Sequence, residues 1–138
     1  KTLKMAVIRE IERYFDHFSP DPCLFISERP KQHQFSAWYV KMIKDGHQVF
    51  HLHPAGWLSG VVYLKTIESP QDDEGAIEFS LNGFNQESFP SAPKLVHKPK
   101  DGDLVMFPSS LFHRTIPIKS DVERCVLAFD LLPKLVKF

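Results

Sequence analysis

Residues His47–Thr66 read HQVFHLHPAGWLSGVVYLKT: two short runs with apolar residues, His47–His53 and Leu58–Thr66, parted by Pro54-Ala55-Gly56-Trp57. Short runs of this kind, bounded by Pro and Gly, predict strands joined by a turn. In the first run, period two puts His47, Val49, His51 and His53 on one face and Gln48, Phe50 and Leu52 on the other. Phe50 and Leu52 then suit packing against a helix or a second sheet, so the histidines are expected to face a barrel interior. Such an interior needs a reason to be polar, because a buried imidazole requires partners for both ring nitrogens. A metal ion would satisfy two imidazoles at once.

The same punctuation continues on both sides. Strands are predicted near Ser36–Ile43, Ala76–Leu81, Lys94–Lys98, Asp103–Phe107, Phe112–Ile118 and Arg124–Leu131, which with the first two makes eight. Ahead of them, TLKMAVIREIERYFDHF spaces Leu3, Val7, Ile11, Tyr14 and Phe18 for one amphipathic helix, with Thr2 as N-cap and Ser19-Pro20-Asp21-Pro22 as the stop. One helix followed by closely spaced strands predicts a mainly β sandwich or barrel. A length of 138 residues suits a single domain over 1–138, with the helix at about 2–18 and the barrel at about 35–132. The chain starts at Lys1 without a Met, so flanking domains in a longer protein are compatible with it.

Lys plus Arg and Asp plus Glu number 17 each, which gives no support to a nucleic-acid or membrane-surface partner. A small molecule or a peptide is the expected substrate; oligomeric state is not legible. Cys23 and Cys125 form no Cys-x-x-Cys pair, and no apolar run approaches the roughly 20 residues of a membrane span, so a cytoplasmic protein without disulfides is expected. The acids of Gln71-Asp72-Asp73-Glu74-Gly75 read as a solvated turn, and Trp38 and Trp57 as core or rim packing.

His-x-His at a strand end, with a third ligand from a distant strand, is a common way for an antiparallel barrel to hold a first-row metal. His113 is the best-placed third imidazole, since it follows the tight Pro108-Ser109-Ser110 turn and opens a strand. His47 is its first substitute. His17 belongs to the helix, His33 to a loop before the strands, and His97 to a strand end, the last two solvated.

Those residues carry a resemblance. HLHPAGWLSGVVYL, then GAIEF, KDGDLVMFPSSLFHRTIP and ERCVLAFD, resemble the 2-oxoglutarate and iron(II)-dependent oxygenases, in the branch marked by an HxHP…SGxxYL block, over roughly Trp38–Asp130. The resemblance implies a double-stranded β-helix, or jelly roll. It implies Fe(II) held at His51, at the position two residues on, and at His113, and 2-oxoglutarate held through its far carboxylate by Arg124. The implied reaction converts 2-oxoglutarate to succinate and CO2 while a substrate carbon is hydroxylated.

This chain departs from the family pattern twice. The family places a carboxylate where His53 stands, so the site is either a set of three imidazoles or takes an acid from elsewhere, with Glu78 and Asp130 as candidates that otherwise read as solvated outer-face groups. The family's Arg-x-Ser reads Arg124-Cys125-Val126, which leaves Tyr63, on a facing strand, as the candidate hydroxyl beside Arg124. Segments Ser19–Gln34 and Asn82–Pro93 are expected to form the substrate rim. The alternatives are a cupin-type metalloenzyme that does not use 2-oxoglutarate, and a jelly-roll binding module without catalysis. Against the cupin, Pro54-Ala55-Gly56-Trp57 lacks the acid that its first motif expects.

Overall fold

The computed structural model describes residues 2–68, 70, 72–83 and 91–134. Its contacts divide the chain into two compact units, Lys1–Lys31 and Gln32–Phe138.

In the first unit, α1 spans Leu3–Phe18 and a four-residue turn of helix, α2, spans Leu24–Ser27. Thr2 takes the extended N-cap conformation, but its side chain makes no capping hydrogen bond; the first turn is closed by its carbonyl, which accepts from Met5 at 3.0 Å. The buried stripe is Val7, Ile11 and Phe15, a strict i, i+4, i+8 row. Leu3 and Phe18, expected on that stripe, are exposed, and Tyr14 lies at its border beside Phe18 with ring centroids 4.9 Å apart. Phe25 from α2 packs 5.8 Å from Phe15, whose ring also carries the Arg29 guanidinium at 4.2 Å; Arg29 reaches on to Glu12.

Among the described residues the second unit holds eight strands: β1 His33–Met42, β2 Gln48–His51, β3 Leu58–Lys65, β4 Ile77–Ser80, β5 Lys94–His97, β6 Leu104–Pro108, β7 Phe112–Thr115 and β8 Arg124–Pro133. They form two antiparallel four-stranded sheets, ordered β1-β8-β3-β6 and β2-β7-β4-β5. Successive strands thus alternate between the sheets, except that β4 and β5 are neighbours in one sheet, in the jelly-roll pattern. Ile77, Phe79 and Phe107 fill one part of the interior, while Met42, Ile67 and Ile118 fill another. Phe129, fully buried on the other face of β8, stacks on Phe35 at 5.3 Å. It fits because β3 has Gly60 opposite it: a Cβ there would sit 2.2 Å from Phe129 Cζ.

Two features depart from the period-two reading. β2 pairs Gln48 with Thr115 and His51 with His113, so its register shifts between them. A bulge of this kind reverses the alternation: His47 and Val49 are exposed, and His47 does not share the face of His51. The Arg114 guanidinium lies 4.8 Å over the ring of Phe50. In the Asp72-Asp73-Glu74 turn, Glu74 is buried rather than solvated and accepts from the backbone of Lys119 and from both the backbone and hydroxyl of Ser120. Cys23 and Cys125 are both free. Among the described residues, no helix is long and apolar enough to cross a membrane.

Candidate metal centre

His51 ends β2 directly across the ladder from His113 of β7. Opposed residues of an antiparallel pair project to the same face, and the two rings enter the interior with centroids 4.3 Å apart. The ring of His53 lies 5.2 Å from that of His51 and 5.1 Å from that of His113. One ring nitrogen from each histidine lies within 4.8 Å of the other two.

His53 stands beyond the end of β2, so the ladder does not fix it. Instead its N–H donates to the Ser109 carbonyl at 2.9 Å, its carbonyl accepts from Gly56 at 3.0 Å, and Ser109 N–H donates to the Trp57 carbonyl at 3.0 Å. The Pro54-Ala55 turn is thereby buckled to the β6–β7 turn. Gly56 is required for the fit, since a Cβ at that position would lie 2.4 Å from Ser109 Oγ.

Hydrogen bonding fixes how the rings are protonated. Nδ1 of His51 is 2.8 Å from the Val49 carbonyl, and Nδ1 of His113 is 3.0 Å from that of Leu111. A carbonyl has no proton to give, so both Nδ1–H groups donate, and in the neutral ring this tautomer leaves the lone pair on Nε2. His53 Nδ1 is 2.7 Å from Asp130 Oδ1, and the same assignment follows. Three lone pairs therefore meet in one small volume, an arrangement that calls for a cation. Burial pushes the pKa of His113 down to about 4, helped by the neighbouring His51 and His53 and opposed by the Leu111 carbonyl and Asp130, so at neutral pH this ring is an unprotonated donor. Imidazoles that ligate metals usually give their other N–H to a carbonyl or carboxylate; the residues present fit a metal ion in this respect.

Of the two candidate acids, neither is a solvated outer-face group. Glu78 is buried, but it faces Arg114 on the side opposite Phe79 and His113, and is paired with Arg114 at 2.6 Å and with Lys94 at 3.6 Å. Asp130 is buried beside the cluster and accepts from both His53 and Ser59. Its link to His53 spans 77 positions of sequence, and the sequence reading missed it. Away from the cluster, His33 begins β1 rather than lying in a loop, His97 is half-buried at the end of β5 with Nε2 3.3 Å from Asp103, and His17 is exposed on α1.

Phe107 and Phe79 wall the cluster, with centroids 4.6 and 6.3 Å from that of His113. Their other sides line an apolar cavity of ≈ 620 Å³ with Leu95, Leu104, Met106 and Leu111. On the opposite flank, Trp38, Leu52, Pro54 and Ala55 line an open hollow of ≈ 340 Å³ whose floor includes His53 and Asp130. Of the rim segment expected at Asn82–Pro93, residues 84–90 lie outside the described residues.

Arg124 and Tyr63 occupy the other end of the same interior faces. Arg124 precedes Asp130 by six residues on β8, roughly 20 Å along the strand. Its Nε–H donates to the Gly75 carbonyl at 3.0 Å, and its guanidinium lies 5.1 Å from the Tyr63 ring centre. Both residues are buried; burial lowers the pKa of Arg124 and raises that of Tyr63. Among the described residues Arg124 has no carboxylate partner, and the buried Tyr63 hydroxyl forms no well-aligned hydrogen bond, the Arg124 guanidinium being its polar neighbour. A buried cation beside such a hydroxyl fits a carboxylate ligand.

Comparison with known proteins places this geometry. The family described as "Putative 2OG-Fe(II) oxygenase" matches residues 36–130. No curated protein matches the sequence. The fold is similar to a prolyl-4-hydroxylase from Pseudomonas putida, at TM-score 0.56 and 20% identity over 74% of this chain and 53% of that one. It is also similar to HygX from Streptomyces hygroscopicus, solved with nickel and 2-oxoglutarate bound, at TM-score 0.57 and 16% identity over 88% of this chain and 65% of that one. The chain thus spans about half of the hydroxylase and about two-thirds of HygX.

Proposed function

This chain belongs to the 2OG-Fe(II) oxygenase family, and from that premise we propose that it is a 2-oxoglutarate- and iron(II)-dependent dioxygenase that hydroxylates a small molecule or a peptide. His51, His53 and His113 hold the metal, and Arg124 with Tyr63 holds the distal carboxylate of 2-oxoglutarate. The observation that carries this reading is the convergence of three imidazole nitrogens within 4.8 Å, each ring having its Nδ1 proton committed elsewhere.

When bound, iron and 2-oxoglutarate supply the oxidising chemistry, with O2 consumed and succinate and CO2 released. The chain's part is placement. The β2–β7 ladder positions His51 and His113 and the Ser109 buckle positions His53, so these three imidazoles would hold the metal and leave its remaining positions to co-substrates. Phe79 and Phe107 keep water from the His113 side, and the hollow beside Trp38 offers an approach for substrate. Arg124 presents a planar fork that matches a carboxylate, and the Tyr63 hydroxyl adds a donor. A small-molecule substrate gains support from HygX, a structure of which contains hygromycin B.

Anaerobic Fe(II) and 2-oxoglutarate titration, followed by succinate measurement on admitting O2, tests the proposal. Stoichiometric metal uptake, 2-oxoglutarate binding and succinate release are expected. Metal uptake without 2-oxoglutarate binding would favour a cupin-type enzyme, the reading that the imidazole at position 53 keeps in play; no metal uptake would leave a binding module.

A further inference from the structure

Three neutral imidazoles leave both charges of a divalent ion uncompensated, whereas two histidines and a carboxylate remove one of them. Within hydrogen-bonding reach of the ring that replaces the acid, this chain holds a buried carboxylate. We propose that Asp130 is a positioning residue that returns the missing negative charge to the metal through His53. The proposal rests on the metal site assigned above.

Four observations carry it. Asp130 Oδ1 lies 2.7 Å from His53 Nδ1, which leaves Nε2 of that ring for a metal. Ser59, directly opposite Asp130 in the β3–β8 ladder, donates to the same oxygen at 2.6 Å. Because the single Ser59 proton is spent there, Ser109 must be the donor in the 2.8 Å contact between the two hydroxyls. The chain Ser109 to Ser59 to Asp130 therefore runs in one direction and holds the carboxylate still, with all three residues buried. Last, among the described residues no lysine or arginine pairs with Asp130; its partners are the His53 ring and the Ser59 hydroxyl. A buried carboxylate without a cation is costly, and a metal-bound imidazole is the one positive neighbour that this geometry provides. The carboxylate in turn polarises His53 and strengthens its Nε2 as a ligand.

The test is anaerobic Co(II) titration of the full chain, read by affinity and by the visible spectrum of the bound ion. Asp130→Asn keeps the shape and an oxygen that accepts from His53, but removes the charge. It is expected to weaken Co(II) binding by about 10- to 100-fold and to shift the spectrum. In a His53→Asp background, where the metal has its own carboxylate, Asp130→Asn is expected to cost nothing. Asp130→Asn binding as tightly as the native chain, or losing as much in the His53→Asp background, overturns the proposal. If Asp130→Asn does not fold, Ser59→Ala replaces it: a several-fold loss of affinity is expected, and an unchanged affinity overturns the proposal. Failure of the native chain to bind Co(II) is a different result, which removes the metal site itself.

Discussion

The β3–β8 pair presents two polar ends to the same interior, and they are prepared in opposite ways. At the Ser59–Asp130 end every polar group has a partner, and what remains is a set of imidazole lone pairs. At the Tyr63–Arg124 end the phenol forms no well-aligned hydrogen bond, and the guanidinium has no carboxylate among the described residues. One end lacks a cation and the other an anion. Under the proposed function, the imidazoles would meet the metal that 2-oxoglutarate chelates, and Arg124 its far carboxylate. The lesson is that an incomplete hydrogen-bond inventory, read together with sign, points to a ligand more sharply than cavity size does.

The comparison breaks most readily at His113. His113→Ala is expected to abolish metal uptake, from about one ion per chain to near none, since two donors remain where first-row ions want at least three from the protein. Metal analysis after desalting reads this directly; retained metal would mean that the imidazoles do not form the site.

The next largest effect is on the stability of the metal-free protein against pH. The His113 imidazole takes up a proton near 6.5 when unfolded but only near 4 when folded. Between those values the unfolded chain binds more protons, so this contribution is fully present above about pH 6.5 and is lost as pH falls towards 4. It amounts to an order of 3 kcal/mol. Urea unfolding at pH 7 and pH 4.5 measures it, and a flat profile would contradict the burial argued for this ring.

Arg124→Met sharpens the contrast between the ends. It is expected to weaken 2-oxoglutarate binding by about 30-fold, close to 2 kcal/mol, while metal uptake is unchanged. Because it removes a buried charge that lacks a counter-charge, the melting temperature should not fall. Calorimetric titration and thermal unfolding test the two halves separately.

The smallest effect is expected for Tyr63→Phe. Removal of a buried hydroxyl that forms no well-aligned hydrogen bond should leave the ligand-free protein as stable as before or slightly more so, by less than about 1 kcal/mol, while 2-oxoglutarate binding weakens by about 3-fold. A large loss of stability would show that the hydroxyl is partnered after all.

Much of this was legible in the chain. Turn residues and period-two runs locate all eight strands because Pro, Gly and Asp act on backbone geometry locally, and His51, His53 and His113 stand out because a strand interior rarely tolerates imidazoles. What escaped is what depends on partners distant in sequence. The β2 bulge arises from pairing with β7, so nothing within HQVFHLH signals that His47 turns outward. Likewise, Asp130 in LAFD reads as either an inward ligand or a solvated outer-face acid until β8 is laid against β3, which puts Ser59 opposite it. Glu74 and Glu78 were read as solvated for the same reason, as their partners Ser120 and Arg114 lie 46 and 36 positions away. The short α2 carries too few residues to show a period.

The buckle between the turn after β2 and the turn after β6 has one more implication. Gly56 and Ser109 interlock through their backbones and close packing, so the segment carrying His53 is tied to the one that leads to His113. Substitution of cobalt or nickel for iron should then leave this part of the backbone where it is.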